Sequence, residues 1–230
     1  MAALISSVMD TKDKVPFFAA RCEEMGIEIL PPDVNLSDHE FVVVEGNIRF
    51  GLDAVKGVGY AAVEAMKAAR EEGGPFTSLW DFCERVDGRS VNRRAIEALI
   101  KAGAFGSTGA SRRGMLAVLE QAQAAGSKMQ QDAEIGQGSI FDLADDSAPA
   151  AGSAAAAFAA PKHPPITGEE FDQKELLAFE KEAIGIYISA HPLKEVREAM
   201  RKKTDGSISE LLEGKDGAWI TTGGIITAAR

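Results

Sequence analysis

The sequence predicts a mainly helical protein built around two glycine hairpins, each leading into a helix. Three observations carry this. Residues 52–59 (LDAVKGVG) set a short apolar turn, a lysine and a Gly-Val-Gly pair directly before a helical run at 60–70. Residues 102–106 (AGAFG) repeat the arrangement more loosely, ahead of a helix from about Ser111. Elsewhere, clusters of Gly, Pro, Asn and Asp punctuate segments of helical apolar period, and just one valine-rich stretch before the first hairpin alternates. The expected fold class is mainly α: a tandem helix-hairpin-helix domain with a small β-hairpin, then a flexible linker, a helical connector and a terminal strand.

In chain order, the opening MAALISSVMD is apolar and fits a helix. Asp10 or Thr11 can cap a second helix carrying Phe17, Phe18, Cys22 and Met25, a spacing expected to face a core. Gly26 ends it, and Pro31-Pro32 prevent its resumption. Residues 39–44 alternate weakly, Glu45-Gly46-Asn47 form a turn, and 48–50 continue as strand, giving a β-hairpin that runs into the first glycine hairpin. There Gly57 and Gly59 can take positive φ without a Cβ clash, and Val58 can tuck between the helices. Gly73-Gly74-Pro75 breaks the helix that follows. Thr77 or Ser78 caps a helix at 79–86, and Asp87-Gly88 is a turn. Over 91–102, Val91, Ala95, Ile96, Leu99 and Ile100 share one face, with Arg93, Arg94, Glu97 and Lys101 elsewhere. After the second hairpin, Met115, Leu116 and Leu119 face inward while Arg112 and Arg113 occupy the first turn. Two arginines there oppose the helix dipole unless an anion sits beside them. The plain alternative is a solvated basic face.

Residues 127–165 turn Gln-, Ala-, Gly- and Ser-rich and end in APAAGSAAAAFAAPKHPP, the composition of a linker. Within it Gln137, Ile140 and Phe141 stand out: an apolar pair in polar sequence is there to be buried, by a partner or by the chain's own core. Thr167 or Gly168 opens a helix at 169–183 bearing Phe171, Leu176, Leu177 and Phe179, ended by GIYISAHP at 185–192. A basic helix at 193–201 and a short one at 208–212 follow. Residues 218–228 (AWITTGGIITA) read as one strand with a glycine bend, and the lack of a downstream partner strand is what a truncated piece would show.

The net charge of −10 argues against nucleic acid, but its distribution reverses that. Residues 49–113 hold eleven Lys/Arg against eight Asp/Glu, a local balance of +3, which leaves −13 on the rest. A hydrophobic content of 45% is enough for a core, and no apolar run approaches the ~20 residues of a membrane span. The start of the chain lacks the basic flank and cleavage site of a signal peptide. Cys22 and Cys83 show no metal spacing and cannot build a disulfide framework. A cytoplasmic protein is expected.

The chemistry of the glycine hairpin points to phosphate. The turn leaves backbone N–H groups unpaired at the start of the next helix. That end carries partial positive charge, and Lys56 adds a full one beside it. The expected activity is a grip on a nucleic-acid backbone that reads no bases, through Lys56, Gly57, Val58 and Gly59 at the first hairpin and Arg93, Arg94, Arg112 and Arg113 around the second. Gly57 to Ala62 also fits a loose dinucleotide fingerprint, G-x-G-x-x-A, but 52–56 is too short and polar for the buried strand it needs, and 80–86 looks helical rather than like the second strand. A free-standing helix-hairpin-helix adaptor in repair or recombination is the other reading.

Five segments in order carry a family resemblance: LPPDVN (30–35), AVKGVG (54–59), NRRAIEALIKAGAF (92–105), IGQGSIF (135–141) and EKEAIGIYISAHPL (180–193). In these the chain resembles the C-terminal half of the C-family replicative polymerases, the alpha (catalytic) subunits of bacterial DNA polymerase III. The resemblance implies that 1–35 end a fingers domain, 36–126 form a tandem helix-hairpin-helix domain holding duplex DNA, and 127–166 are a flexible linker with an internal clamp-binding motif. It further implies that 167–216 are a helical connector and that 217–230 start a truncated OB-fold domain. Gln137 would bond at the rim of a pocket on the sliding clamp (the beta subunit), and Ile140 and Phe141 would fill it. The implied partners are double-stranded DNA, the clamp and other holoenzyme subunits, in a nucleoid-associated cytoplasmic setting with no membrane. Mg²⁺ belongs to the whole polymerase, whose catalytic carboxylates hold two ions about 4 Å apart. They lie in a palm domain that precedes this segment, so no catalytic residue, cofactor or metal is expected here.

Overall fold

The computed structural model describes residues 1–8, 14–134, 163–189, 202–206, 217 and 219–223. The chain divides into two compact units, 1–188 and 189–230.

The first unit opens with α1 (Ala2–Ser6) and α2 (Lys14–Glu24), the latter ended by Gly26 at φ 72°. Phe18 and Cys22, four residues apart, share the inner face of α2. Phe17 and Met25 do not join them: they are 67% and 57% exposed, which corrects the expected four-residue core face. Phe17 falls on the other side of the helix, and Met25 lies beyond its last residue.

A three-stranded sheet follows, in the order β1 (Ile29–Leu30), β3 (Asn47–Arg49), β2 (Val42–Val44). The β2–β3 hairpin is the expected one, with Val43 opposite Ile48. Glu45 (φ 51°) and Gly46 (φ 82°) close it in left-handed backbone, as a tight two-residue connection requires. β1 pairs in parallel with β3, Ile29 beside Ile48. At two residues it is too short for its sequence to show any alternation.

Between β1 and β2, the LPPDVN segment ties the unit together. The buried Asp33 carboxylate accepts from the Asn35 amide (2.8 Å), the Ser107 amide (3.2 Å) and the Ser107 hydroxyl (3.0 Å). Asn35 pairs both ways with the Phe76 backbone, donating at 2.9 Å and accepting at 2.7 Å. The Val34 amide donates to the Ala104 carbonyl, 2.8 Å away. One loop thus fixes the second hairpin and the turn after α3 (Tyr60–Gly73) to the sheet.

The remaining helices are α4 (Leu79–Arg85), α5 (Arg93–Lys101), α6 (Arg112–Glu134) and α7 (Gln173–Ala183). Ser78 caps α4, its hydroxyl accepting from the Asp81 amide, and Asn92 caps α5 through the Ala95 amide. All five residues of the predicted α5 face are buried, in a core with Leu79, Phe82, Phe105 and Met115.

Two boundaries differ from expectation. First, α6 continues to Glu134, through sequence whose composition reads as linker. It packs closely on α4 because Gly126 has no side chain: a Cβ there would overlap the Cys83 carbonyl. Gln130 then donates to the carbonyls of Cys83, Glu84 and Val86 at 3.2, 3.3 and 2.8 Å, satisfying groups at the end of α4. His163 stacks on Trp80 (4.7 Å between ring centroids) and meets Glu84 at 2.7 Å, so the far end of the predicted linker is also seated on α4. Second, α7 begins at Gln173, not 169. Asp172 and Glu175 form a reciprocal capping box there, a stronger start than Thr167 or Gly168. Residues ahead of it form an extended strap over Gly114, where a Cβ would come within 2.8 Å of the Thr167 carbonyl oxygen.

In the second unit, the Asp205 amide donates to the Thr221 carbonyl and the Thr221 amide to the Asp205 carboxylate, each at 2.9 Å. Residues 219–223 have no regular secondary structure, so the strand expected over 218–228 is not formed in its described part. Gln137, Ile140 and Phe141, the helices expected at 193–201 and 208–212, and residues 224–230 lie outside the described residues.

Candidate nucleic-acid interface

The first hairpin is a 3-10 turn (Leu52–Ala54), the loop 55–59, and α3. Leu52, Val55 and Val58 are buried, so Val58 does tuck between the arms. Of the two glycines, Gly57 alone uses left-handed backbone (φ 83°). Gly59 is extended (φ −103°) and serves as the N-cap of α3, which corrects the expectation of positive φ at both. No side chain caps α3. Among the described residues, the amides of Gly57, Gly59, Tyr60 and Ala61 donate to nothing, and all four residues are exposed. This is an open anion-accepting helix end.

Lys56 is placed by α7. Its amide donates to the Ala183 carbonyl at 2.9 Å and its Nζ to the Glu182 carbonyl at 2.6 Å. The lysine charge therefore rests at the negative end of α7, an anchor for the hairpin as well as a charge beside it. Sequence spacing carried no sign of this pairing.

A second set of contacts that sequence reading missed surrounds His39. Its Nδ1 lies 2.9 Å from Asp53 of the 3-10 turn and its Nε2 lies 2.6 Å from Glu64 of α3. The ring stacks on Tyr60 at 4.2 Å. Beside it Lys67 meets Asp38 at 2.8 Å. That bond holds the Asp38 carboxyl below its ordinary range, and the His39 hydrogen bond does the same for Glu64.

On α5, Arg93 and Arg94 are exposed. Arg93 reaches Glu120 loosely at 3.7 Å, and Arg94 pairs with nothing among the described residues.

The second hairpin also has a left-handed glycine, Gly103 (φ 79°), but its helix end is filled. Glu170, from the strap before α7, accepts from the Arg112 amide at 2.9 Å and the Arg113 amide at 3.3 Å. The Arg112 guanidinium turns inward, 14% exposed, donating to the Lys101 carbonyl (3.0 Å) and to Glu180 (3.3 Å), itself 1% exposed. Arg113 lies over Phe171 at 4.7 Å and meets Glu175 at 3.4 Å. An anion does balance the two arginines, but it is the chain's own. Arg112 is thereby an internal ion pair, which corrects its placement on a phosphate-facing surface.

Among the described residues no group of His, Cys, Asp and Glu is arranged to hold a metal ion, and no helix is long and apolar enough to cross a membrane.

Residues 26–115 match the family described as the helix-hairpin-helix motif, a span holding the sheet and both hairpins. Over 100% of its length the chain is 36% identical to the DNA polymerase III subunit alpha of Haemophilus influenzae. The chain is homologous along its whole length to a segment of DNA polymerase III alpha subunits. It is also 37% identical to the Saccharopolyspora erythraea subunit over 94% of the chain, and 35% identical to that of Mycobacterium tuberculosis over 99%. It spans 19% of the length of the H. influenzae and M. tuberculosis relatives and 18% of the S. erythraea one. The mainly helical fold with a small sheet is that of a helix-hairpin-helix domain.

Proposed function

We propose that this chain is a duplex-binding section of a replicative polymerase alpha subunit, gripping the phosphate backbone chiefly through its first hairpin. The carrying observation is the exposed, uncapped start of α3, where four neighbouring amides point to no acceptor within the described residues. Lys56, Arg93 and Arg94 add charge on exposed positions, and Arg113 adds a half-exposed one. Such contacts bind any sequence and weaken steeply with salt. In the same reading, Gln137, Ile140 and Phe141 dock on a sliding clamp, which raises the effective concentration of the hairpin at DNA. In this reading the carboxylates that hold Mg²⁺ belong to another part of the subunit, and other holoenzyme subunits are further partners of this section. The setting is the bacterial cytoplasm, at the nucleoid.

Fluorescence anisotropy of a labelled primer–template duplex tests this, at two salt concentrations, with and without the clamp. Gly57→Val, and Lys56→Glu with Arg93→Glu, should each weaken duplex binding by roughly tenfold or more at low salt. Gln137→Ala with Phe141→Ala should leave duplex affinity intact and remove the gain from the clamp. Wild-type affinity in both hairpin variants would sink the hairpin reading.

A further inference from the structure

We propose that His39, protonated on both ring nitrogens, holds the two arms of the first hairpin in their phosphate-binding arrangement, so that duplex affinity falls as pH rises and the second proton is lost. The proposal rests on the reading of that hairpin as a phosphate site.

The geometry is that of a tie. His39 lies outside the hairpin, in the loop before β2, with its side chain 14% exposed. One ring nitrogen engages Asp53 on the first arm and the other engages Glu64 on the second. Its ring covers Tyr60, the first residue of α3. The backbone reinforces the first arm: the Asp53 amide donates to the His39 carbonyl (3.2 Å) and the Leu52 amide to that of Asp38 (2.8 Å). A Cβ on Gly51 would overlap the His39 carbonyl, so the approach is close.

Proton count decides how many of these bonds exist. A neutral imidazole has one N–H and donates to one carboxylate; the imidazolium donates to both. Asp53 depends on this, because its other oxygen, Oδ1, is buried with no hydrogen-bond partner. Loss of the proton breaks the tie at one arm. It also leaves the carboxylates of Asp38, Asp53 and Glu64 facing Lys67 alone, which lies 2.8 Å from Asp38 and 3.8 Å from Glu64. Glu64 sits one helical turn above Tyr60, whose amide is among those offered to phosphate. Both effects weaken anion binding.

Burial by itself would lower the His39 pKa, but the hydrogen bonds to Glu64 and Asp53 and the Asp53 charge outweigh it, and the pKa ends up raised. The tie is therefore complete below about pH 6.5, the ordinary histidine value, and is lost as pH rises through the higher folded value.

The test is duplex affinity of the 230-residue chain between about pH 6 and pH 8.5, with the His39 ring titration followed by NMR. Wild type should lose roughly threefold to tenfold in affinity, with a midpoint matching that of the His39 ring. His39→Gln should bind with a flat profile. Glu64→Gln, at a half-exposed site that folding tolerates, should move both midpoints to lower pH. The proposal is overturned if His39→Gln keeps the wild-type profile, if the ring and affinity midpoints differ, or if Glu64→Gln moves neither. Gly57→Val separates the two readings. If it binds duplex as wild type does, the hairpin is not the phosphate site and the proposal falls with it. If it binds weakly while His39→Gln keeps the wild-type profile, the failure is that of His39 alone.

Discussion

Asp33 shows what one side chain can hold. It accepts from one neighbour in sequence and from two groups of Ser107, more than seventy residues away. Being buried, it has no water to replace a lost partner, so removing it orphans three donors at once. Asp33→Ala should cost about 2–4 kcal/mol in unfolding free energy, read from urea denaturation. A loss under about 0.5 kcal/mol, the range of ordinary surface changes, would mean that Asp33 does not tie this loop to the second hairpin. LPPDVN stands out in the sequence by family resemblance alone. Its residue types suggest a turn, and nothing local announces that the turn is a junction.

At the scale of elements, the two hairpins have diverged in use. Both have a left-handed glycine before a helix, but α3 starts open and α6 starts under a carboxylate. Removing that carboxylate uncovers two amides and the unfavourable dipole contact of two arginines. Glu170→Ala should therefore destabilise the chain by about 1 kcal/mol, a fall of about 2–4 °C in melting temperature. Duplex affinity should not drop. An unchanged melting temperature would show that Glu170 contributes nothing to the start of α6. Sequence reading located both hairpins and offered an anion beside Arg112 and Arg113 as one of two alternatives, the other being a solvated basic face. It could not name Glu170, because the strap that delivers it folds back from beyond a linker-like stretch.

For the molecule as a whole, the two cysteines report on cooperativity. Both are buried, Cys22 at the N-terminal end of the first unit and Cys83 between α4 and α6. Burial, aided by the charge of Glu84, pushes the Cys83 thiol up to about 12, and burial raises Cys22 as well. A thiol reagent at about pH 8 needs thiolate and access, and the native chain offers neither. Both cysteines should label together, in step with the unfolding of residues 1–188. Labelling of Cys22 in native buffer would show that α1 and α2 open independently.

Local pattern by itself determined the helical class, the face of α5, a cap at Thr77 or Ser78, the β2–β3 turn and the two glycine hairpins. Each is set within a few residues by period, backbone preference or capping chemistry, so each is legible without the rest of the chain. Tertiary structure decided which hairpin is free. Lys56 on the end of α7, Glu170 on the start of α6, Gln130 on the end of α4 and His39 between Asp53 and Glu64 all join groups remote in sequence or from different elements. Such pairings follow from close packing, where glycines at 114 and 126 admit a neighbouring backbone, and no periodicity in the sequence encodes which charge will meet which helix end.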